Sequence, residues 1–134
     1  MSLNEDSLAV VRKAYQCYEK HDITGLIQLI DPDCDWHLPG PADGMPWAGR
    51  YHGPEEVREF FETLTDNLEV LEFSPHQFLA DGDTVMVTGH ERDRIMATGK
   101  VLELDWAHCF TIEEGKITRF QDYQDTASIK AALH

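Results

Sequence analysis

The sequence predicts an α+β fold, in which helices come first and a curved antiparallel sheet follows. Apolar residues recur with helical spacing up to Leu64 and alternate with the period of a strand from about residue 69 onward. Helices that precede a long run of strands are typical of a sheet with the helices packed on one face. The chain has 134 residues, enough for one domain with its own core, so we treat residues 1–134 as a single domain.

Three helices are predicted in the first half of the chain. Residues 7–18 carry apolar side chains at helical spacing behind a capping residue, Asp6 or Ser7. The second helix is short, is expected to stop at Asp31-Pro32, and has on one side Leu26, Leu29 and Ile30. The third begins at Gly53-Pro54, with proline at the first helical position. Its buried side is predicted to consist of Val57, Phe60, Phe61 and Leu64.

Residues 34–53, CDWHLPGPADGMPWAGRYHG, are rich in glycine, proline and aromatic side chains. They predict a short strand near 35–38 and then a long loop with a turn at Asp43-Gly44. Two interpretations of Trp36 and Trp47 stay open. They form a wall or lid over an apolar ligand, or they plug one end of the domain or a dimer interface.

Five strands are predicted after the third helix, punctuated by turn residues. They cover 69–73, 76–80, 84–96, 101–112 and 117–124. Asp125-Thr126 then caps a short closing helix, which accounts for one of the two aspartates in the sequence DYQD.

The strand VLELDWAHCFTI places one polar residue, His108, on an otherwise apolar face. Strict alternation assigns the even-numbered positions to that face, which also carries Leu102, Leu104, Trp106, Phe110 and Ile112. His108 is either a core histidine satisfied by a neighbouring group or part of a functional site.

Asp122 lies on the next strand, and the connecting turn decides which face it shares. A two-residue turn at Glu114-Gly115 points Asp122 away from His108. A three-residue turn with a bulge places His108 opposite Phe120 and Asp122 diagonal to His108. We favour the bulged turn because it buries Phe120. A carboxylate and an imidazole on an apolar face cost several kcal/mol unless they are paired or used, which points to acid–base chemistry.

Glu91 is the third candidate for such chemistry. In VMVTGHERDRI, residues 85–95, Glu91 shares a face with Val85 and Val87, and Asp93 lies nearer the mouth of the same interior. The alternative is that residues 91–94 form a solvated charge run at the end of a strand.

Composition excludes several classes of function. The chain has 25 acidic and 11 basic residues, a net charge of −14 that repels phosphate backbones and anionic lipid, so we expect no nucleic-acid and no membrane partner. No apolar run approaches a membrane span and no signal-like segment is present, which favours a cytoplasmic protein. Three cysteines without metal-ligand spacing favour buried, reduced thiols. We expect neither a metal nor another cofactor.

Three N-terminal helices, the sequence HGPEEVREFF, the long meander and the ending EEGKITRFQDYQDT together resemble the nuclear transport factor 2-like superfamily. That group includes SnoaL-like polyketide cyclases, ketosteroid isomerases and limonene-epoxide hydrolase, and the resemblance covers nearly the whole chain. It implies a cone of bent sheet, closed by three helices on the concave face, with an apolar pocket inside. It also implies a homodimer.

The resemblance to the epoxide hydrolase carries over only in part. Asp122 matches the hydrolase's acid aspartate, and SnoaL-like cyclases have a similarly placed acid/base aspartate. The hydrolase's central arginine falls on Gly89 and its second aspartate on Glu91. The two positions that hold its water become Trp36 and Leu38.

The resemblance to the isomerase is also partial. Its general-base aspartate falls on or beside Leu38, and its oxyanion tyrosine falls on Ala14, with Tyr15 and Tyr18 adjacent. What this sequence retains is the SnoaL-like arrangement of one buried aspartate, one histidine and aromatic side chains.

Two hypotheses follow. The first is a small cofactor-independent isomerase, cyclase or hydrolase for a compact apolar ketone, polyketide or epoxide, with Asp122 as acid/base, His108 orienting it and Glu91 assisting. Its pocket is expected to be lined by Trp36, Leu38, Trp106, Leu104, Phe120, Tyr15, Tyr18 and Trp47. The second is a non-catalytic ligand-binding or dimerisation module, in which His108 and Asp122 form a structural contact. In either case the outer sheet face is a candidate dimer surface, with Met86, Thr88, Cys109 and Thr111.

Overall fold

The computed structural model describes residues 2–41 and 44–134, so Asp43 of the predicted turn lies outside the described residues. Within them, the elements in chain order are α1 (Leu3–Glu19), α2 (Ile23–Ile27), β1 (Ile30–Leu38), β2 (Gly49–His52), α3 (Gly53–Asn67), β3 (Leu68–Asp81), β4 (Thr84–Ile95), β5 (Val101–Glu113), β6 (Lys116–Tyr123) and α4 (Thr126–Ala132). The predicted α+β class is confirmed.

The strands form one curved, open sheet in the order β2-β1-β6-β5-β4-β3. Neighbouring strands are antiparallel except β1 and β6, which run parallel. The sheet is therefore mixed, which corrects the antiparallel expectation. Helix α1 packs against β3, β4 and β5, whereas α3 packs against β1, β2 and β3. Between them, these helices cover one face of the sheet.

Helix α1 begins four residues earlier than predicted, and its cap is neither Asp6 nor Ser7. The Ser2 side chain accepts a hydrogen bond from the backbone N–H of Glu5 and so caps the helix. Ser7 is buried instead, and its hydroxyl donates to the carbonyl of Gly82 over 2.9 Å.

The segment after α1 is the clearest error of local prediction. Ile30 begins strand β1 and pairs with Ile117 of β6, and Asp31-Pro32 lies inside that strand and does not end a helix. The register shifts between Ile30 and Asp35, which lets the strand accommodate a proline that has no N–H to donate. Long-range pairing has overridden the local helical pattern.

Residues predicted as a long loop contain β2, which pairs antiparallel with β1 from Asp35 to Leu38. Helix α3 then begins at Gly53, as predicted. Gly53 has a φ of +76°, and a Cβ there would lie 2.7 Å from the carbonyl oxygen of Pro32, so only glycine fits. Of the predicted buried side of α3, Leu64 is partly buried and the other three members are buried.

Strand β3 joins two strands that were predicted separately. Pro75 lies within it, at a register shift, which an edge strand tolerates because one of its sides needs no partner. Strands β4, β5 and β6 lie within a residue of their predicted bounds. Asp125 caps α4 as predicted, because its side chain accepts from the N–H of Ser128.

The β5–β6 connection has the two-residue turn that was the less favoured alternative, and a bulge that neither alternative included. It is a two-residue turn, Glu114-Gly115, with both residues at positive φ (50° and 76°) as a type I′ turn requires. The bulge lies further along, at Thr118 of β6, between the pairs Ile112–Ile117 and Thr111–Arg119. The Thr118 hydroxyl donates to the carbonyl of Thr111 over 3.3 Å. The preferred three-residue turn is therefore wrong, yet Asp122 still turns inward.

The three cysteines are free; Cys17 and Cys34 are buried, whereas Cys109 is only partly buried. Burial raises the pKa of the Cys34 thiol to about 12, so it stays protonated. Among the described residues, no helix is long and apolar enough to cross a membrane.

Candidate functional site

A cavity of about 90 Å³ lies between the helices and the concave face of the sheet. Its wall is mainly aromatic and aliphatic, and the aromatic members are Tyr15, Tyr18, Trp36, Trp47, Phe60, Phe61, Phe73, Phe110 and Phe120. The polar members are Glu91, Asp93, His108, Asp122 and Gln124. A few convergent polar groups in an apolar hollow are typical of a small-molecule site.

The structure brings most of the predicted site residues together around this cavity. All three candidate catalytic residues line it, Glu91, His108 and Asp122. So do seven of the eight predicted wall residues, Tyr15, Tyr18, Trp36, Leu38, Trp47, Leu104 and Phe120. Trp106 is buried but lies behind the wall, where its ring stacks on the ring of His108 at 4.0 Å and on that of Phe73 at 5.1 Å.

His108 and Asp122 sit directly opposite each other on β5 and β6, closer than the predicted diagonal arrangement. Both side chains are buried. Nε2 of His108 lies 3.3 Å from Oδ1 of Asp122, close enough for an ion pair but without full hydrogen-bond geometry. The predicted pairing of an imidazole and a carboxylate on the apolar face is present in the structure.

Tyr15 fixes the other side of the histidine ring. Its hydroxyl lies 2.7 Å from Nδ1 of His108, and the two rings stack. Burial, and to a lesser degree the charge of Asp122, raises the pKa of Tyr15, so the phenol keeps its proton and is able to donate to Nδ1. In the tautomer that accepts at Nδ1, the ring carries its hydrogen on Nε2, facing Asp122. The three residues form a chain from α1 through β5 to β6.

A second polar group consists of Glu91, Asp93 and Gln124. Burial raises the pKa of Glu91 well above its usual range, and the charge of Asp93 adds to this effect. Burial raises the pKa of Asp93 to about 6, although a hydrogen bond from Glu91 opposes the rise. At neutral pH, Glu91 therefore keeps its proton and donates to an ionised Asp93. Gln124 Nε2 donates to Glu91 Oε1 over 3.1 Å.

The alternative in which residues 91–94 form a solvated charge run is wrong for its acidic members. Glu91 and Asp93 are 8% and 1% exposed, whereas Arg92 and Arg94 point outward. Both carboxyl groups lie inside the fold, where they line the cavity. The strand alternation placed both carboxyl groups on the inner face, and it was the better guide.

Sequence reasoning gave no catalytic or pocket role to Asp93 and missed Gln124 altogether. The alternation of β4 could have found Asp93, because it shares its parity with Glu91. Gln124 follows the last residue of β6, and only the bulge at Thr118 sets the direction of that strand's end. No pattern in the sequence around Thr118 predicts this bulge.

The residues that line the cavity limit which charged groups and metal ions it can hold. Among the described residues, no Lys or Arg side chain lines the cavity. No three His, Cys, Asp or Glu side chains within those residues are arranged to hold a metal ion. Trp36 brings a buried indole N–H to the cavity wall, and that group has no hydrogen-bond partner among the described residues.

Gly89 shows why the arginine of the epoxide hydrolase has no counterpart here. It pairs with Trp106 across β4 and β5. A Cβ at position 89 would lie 2.3 Å from Cζ2 of Trp106 and 2.7 Å from the carbonyl oxygen of Ser74. The tryptophan ring covers the space that any side chain at this position would need.

Gly89→Ala is expected to destabilise the fold by about 1–3 kcal/mol, the usual cost of overfilling a packed core. Trp106 cannot move freely, because it is stacked between His108 and Phe73. Urea unfolding followed by tryptophan fluorescence measures the change, with Thr88→Ala on the exposed side of the same strand as the control. Equal stability of Gly89→Ala and the wild type would contradict this expectation, because it would show that the Trp106 ring can move aside without cost.

Similarity to known proteins agrees with this geometry. An NTF2-like protein from Burkholderia xenovorans LB400 is 24% identical, with 98% of each chain covered and a TM-score of 0.88. TerC, co-crystallised with polyporic acid, is 25% identical over 96% of this chain and 98% of its own, with a TM-score of 0.85. A protein provisionally described as a SnoaL-like polyketide cyclase, from Mesorhizobium loti, is 21% identical over 92% and 99%, with a TM-score of 0.72. No curated protein matches the chain.

Fold and cavity together define a member of the NTF2-like class, a curved sheet closed by helices around an internal site. The model of the SnoaL-like domain matches residues 11–120. The chain belongs to the SnoaL-like domain family.

Proposed function

We propose that the protein is a small, cofactor-independent enzyme that moves a proton on a compact, largely apolar carbonyl compound, as in isomerisation or cyclisation. One observation carries this proposal. A buried carboxylate, Asp122, faces His108 in an apolar cavity that also contains Glu91, a carboxyl group held in its protonated form. A carboxylate base beside a carboxylic acid that can donate a hydrogen bond is an arrangement suited to acid–base catalysis.

The proposed step uses the two carboxyl groups in different roles. Asp122 takes a proton from the carbon next to the carbonyl group. The electron pair of that C–H bond forms a C=C bond, and the π pair of the carbonyl group moves to its oxygen. Glu91 donates a hydrogen bond to the enolate oxygen that forms, with the Trp36 N–H as a second donor. If a C=C bond lies beside the deprotonated carbon, Asp122 returns the proton to the far carbon of the dienolate, which gives the conjugated isomer. In a cyclisation, the enolate carbon attacks a second carbonyl carbon, and the alkoxide that forms there takes the proton from Asp122.

His108 acts in this scheme as a positioning residue. Its Nε2 holds Asp122 from the opposite strand, and Tyr15 and Trp106 restrain the ring by a hydrogen bond and by stacking. A carboxylate with a fixed direction loses less entropy when it meets the substrate.

The comparisons support the proposal at a coarser level. Family membership and the solved structures establish the fold. The crystallisation of TerC with polyporic acid is consistent with a cavity of this kind admitting an organic molecule, as we propose for this chain.

Exchange of hydrogen for deuterium tests the step without knowledge of the natural product. Wild-type protein in D₂O is expected to accelerate exchange of the α-hydrogens of cyclopentanone above the buffer rate, as followed by proton NMR. Asp66→Asn, which removes an exposed carboxylate from α3, serves as the matched control and should exchange like the wild type. Failure of the wild type to exceed the buffer rate on this and related small ketones would refute the proposal.

Tyr15→Phe is expected to lower the exchange rate constant at saturation about tenfold or more, with a smaller change in KM. The phenylalanine keeps the stacked ring but removes the hydroxyl that fixes His108. A buried Nδ1 without its donor should also cost about 1–3 kcal/mol of stability. Tyr51→Phe is the control, since its hydroxyl donates to the Trp47 carbonyl away from the histidine. A pure stability loss with unchanged rate would assign Tyr15 to structure alone.

We also propose that the outer sheet face pairs with a second copy of the chain. A row across four strands, Leu79, Met86, Cys109 and Gln121, carries no formal charge, and Leu79 is 57% exposed. Exposed apolar area of this kind is typical of interfaces. Light scattering coupled to size exclusion should give twice the chain mass, whereas a monomer at high concentration would contradict the proposal.

A further inference from the structure

At the end of the cavity formed by Glu91 and Asp93, one carboxylate oxygen has no hydrogen-bond donor, although Glu91 donates to the Asp93 carboxylate. Asp93 is 1% exposed and lines the cavity, and its Oδ1 has no partner among the described residues. A buried carboxylate oxygen without a donor costs several kcal/mol unless something supplies one. In the described part of the wall there is no Lys or Arg to do so. The missing donor is therefore one that a ligand can bring.

Aromatic rings surround the same end. Phe73 lies opposite Glu91 on the neighbouring strand, and the ring of Tyr18 meets Phe73 edge-on at 4.9 Å and Phe61 at 5.9 Å. Burial, and then the carboxyl groups of Glu91 and Asp93, raise the pKa of Tyr18, whose side chain lines the cavity with both acids. Aromatic faces beside a carboxylate are the surroundings that favour an organic cation.

Other ligand chemistries fit this end less well. An anion would meet the carboxylates of Asp93 and Asp122 without a compensating cation. A metal ion lacks a suitable set of three ligands among the described residues. A neutral alcohol can donate one hydrogen bond to Asp93, but it leaves the buried charge without a counter-charge.

We propose that the cavity binds a small organic cation, a compact apolar body with one protonated amine, whose N–H groups donate to Asp93. The cavity of about 90 Å³ is smaller than a cavity of about 150 Å³ that is known to hold benzene, so the ligand is compact. The inference rests on the proposed function for the location of the site, and it names the substrate class of that reaction as a small amino-carbonyl compound.

Binding of the amine also completes the proposed chemistry. In the unliganded protein, Glu91 donates its hydrogen to Asp93. An ammonium group that takes over the donation to Asp93 frees the Glu91 O–H for the substrate oxygen. Asp93 is then the residue that recognises the amine, and Glu91 the residue that stabilises the enolate.

Equilibrium binding of three probes with the same carbon skeleton tests the inference. Isobutylammonium, isobutanol and isobutyrate are titrated into the wild type at pH 8 by calorimetry or NMR. The ammonium is expected to bind at least tenfold more tightly than the alcohol, with the carboxylate weakest. Equal affinities of ammonium and alcohol for the wild type would overturn the inference, and this comparison does not depend on any variant.

Three variants locate the interaction. Asp93→Asn is expected to weaken ammonium binding at least tenfold, whereas Asp66→Asn, the same change at an exposed site, alters it less than twofold. Glu91→Gln replaces a neutral acid by a neutral amide and should keep ammonium affinity within about threefold. Ammonium affinity that survives Asp93→Asn in a folded protein would also overturn the inference.

The two proposals fail separately. Cyclopentanone carries no amine, so its exchange does not depend on recognition of an amine by Asp93. Exchange without ammonium preference would refute the cation site and leave proton transfer in place. Ammonium preference without exchange on any small ketone would refute proton transfer and leave the cation site in place.

Discussion

Asp122→Asn is expected to lower the rate of ketone exchange at least a thousandfold, while the unfolding temperature stays within a few degrees of wild type or rises. Asparagine fills the same volume but cannot take a proton, and general-base catalysis of this kind contributes about 10²–10⁴-fold. The effect on stability is small because Asp122 sits 3.3 Å from His108 without full hydrogen-bond geometry, so little is lost when its charge is removed.

The same variant separates the enzyme from the non-catalytic module. If His108 and Asp122 form a structural ion pair, removal of one partner leaves the other buried and uncompensated and costs about 2–4 kcal/mol. Chemical unfolding and the exchange assay, measured on one preparation, distinguish the two cases, with Asp66→Asn as the control. Large destabilisation together with unchanged exchange would rule out Asp122 as the base.

Asp93→Asn is expected to raise the free energy of unfolding by about 3 kcal/mol at pH 8, but by less than about 1 kcal/mol at pH 4. Burial raises the pKa of Asp93 from its usual 3.8 to about 6, and one pKa unit is worth about 1.4 kcal/mol. Well below pH 4 the carboxyl group is protonated in both states, so the fold carries no penalty. As the pH rises toward 6, the unfolded chain ionises first and stability falls. Above pH 6 the full penalty remains.

Urea unfolding of the wild type and Asp93→Asn between pH 4 and pH 8 measures the difference in their free energies of unfolding. The contributions of titratable groups that the two proteins share cancel in this difference. The titratable groups near Asp93 are Glu91 on its own strand and Tyr18 on α1. Asp125→Asn is a control of opposite sign, because hydrogen bonds from Ser128 lower the pKa of that helix cap. A stability difference that does not grow with pH would show that Asp93 is not ionised in the folded protein.

These two expectations describe a site maintained at the expense of stability. A variant that loses the amine probe should gain stability, and the two effects come from the same oxygen atoms. Buried, poorly satisfied carboxylates are common where function requires them, and their removal often stabilises a protein.

Sequence patterns predicted those elements whose ends are fixed by interactions between residues close together in the chain. Helix α3 begins with Gly53-Pro54, and Asp125 caps α4, both by interactions within one turn. Strand β1 beyond Ile30 and all of β2 depend on partners that are distant or unpatterned, and β1 pairs with β6 nearly ninety residues away. The helical spacing near Ile30 predicted a helix, but the pairing with β6 places Ile30 in a strand.

The site residues were predictable where the alternation of side chains along a regular strand is enough to assign a residue to the inner face. His108 and Glu91 were placed correctly because each lies in a regular strand. Asp122 was assigned to the right face for the wrong reason, because the register error in the turn and the omitted bulge at Thr118 compensated each other. The directly opposed pair, the hydroxyl of Tyr15 on Nδ1 and the amide of Gln124 on Glu91 all require knowledge of three dimensions.

The inserted residue at Thr118 decides the parity of everything that follows it in β6. A chain that lost one residue between this bulge and Asp122 could keep the hairpin and the sheet, yet the inward position opposite His108 would pass from Asp122 to Tyr123. An acid would give way to a phenol without any change in the strand on the other side. One-residue deletions in this stretch would therefore be a short route by which descendants of this protein lose the acid opposite His108 while they retain their shape.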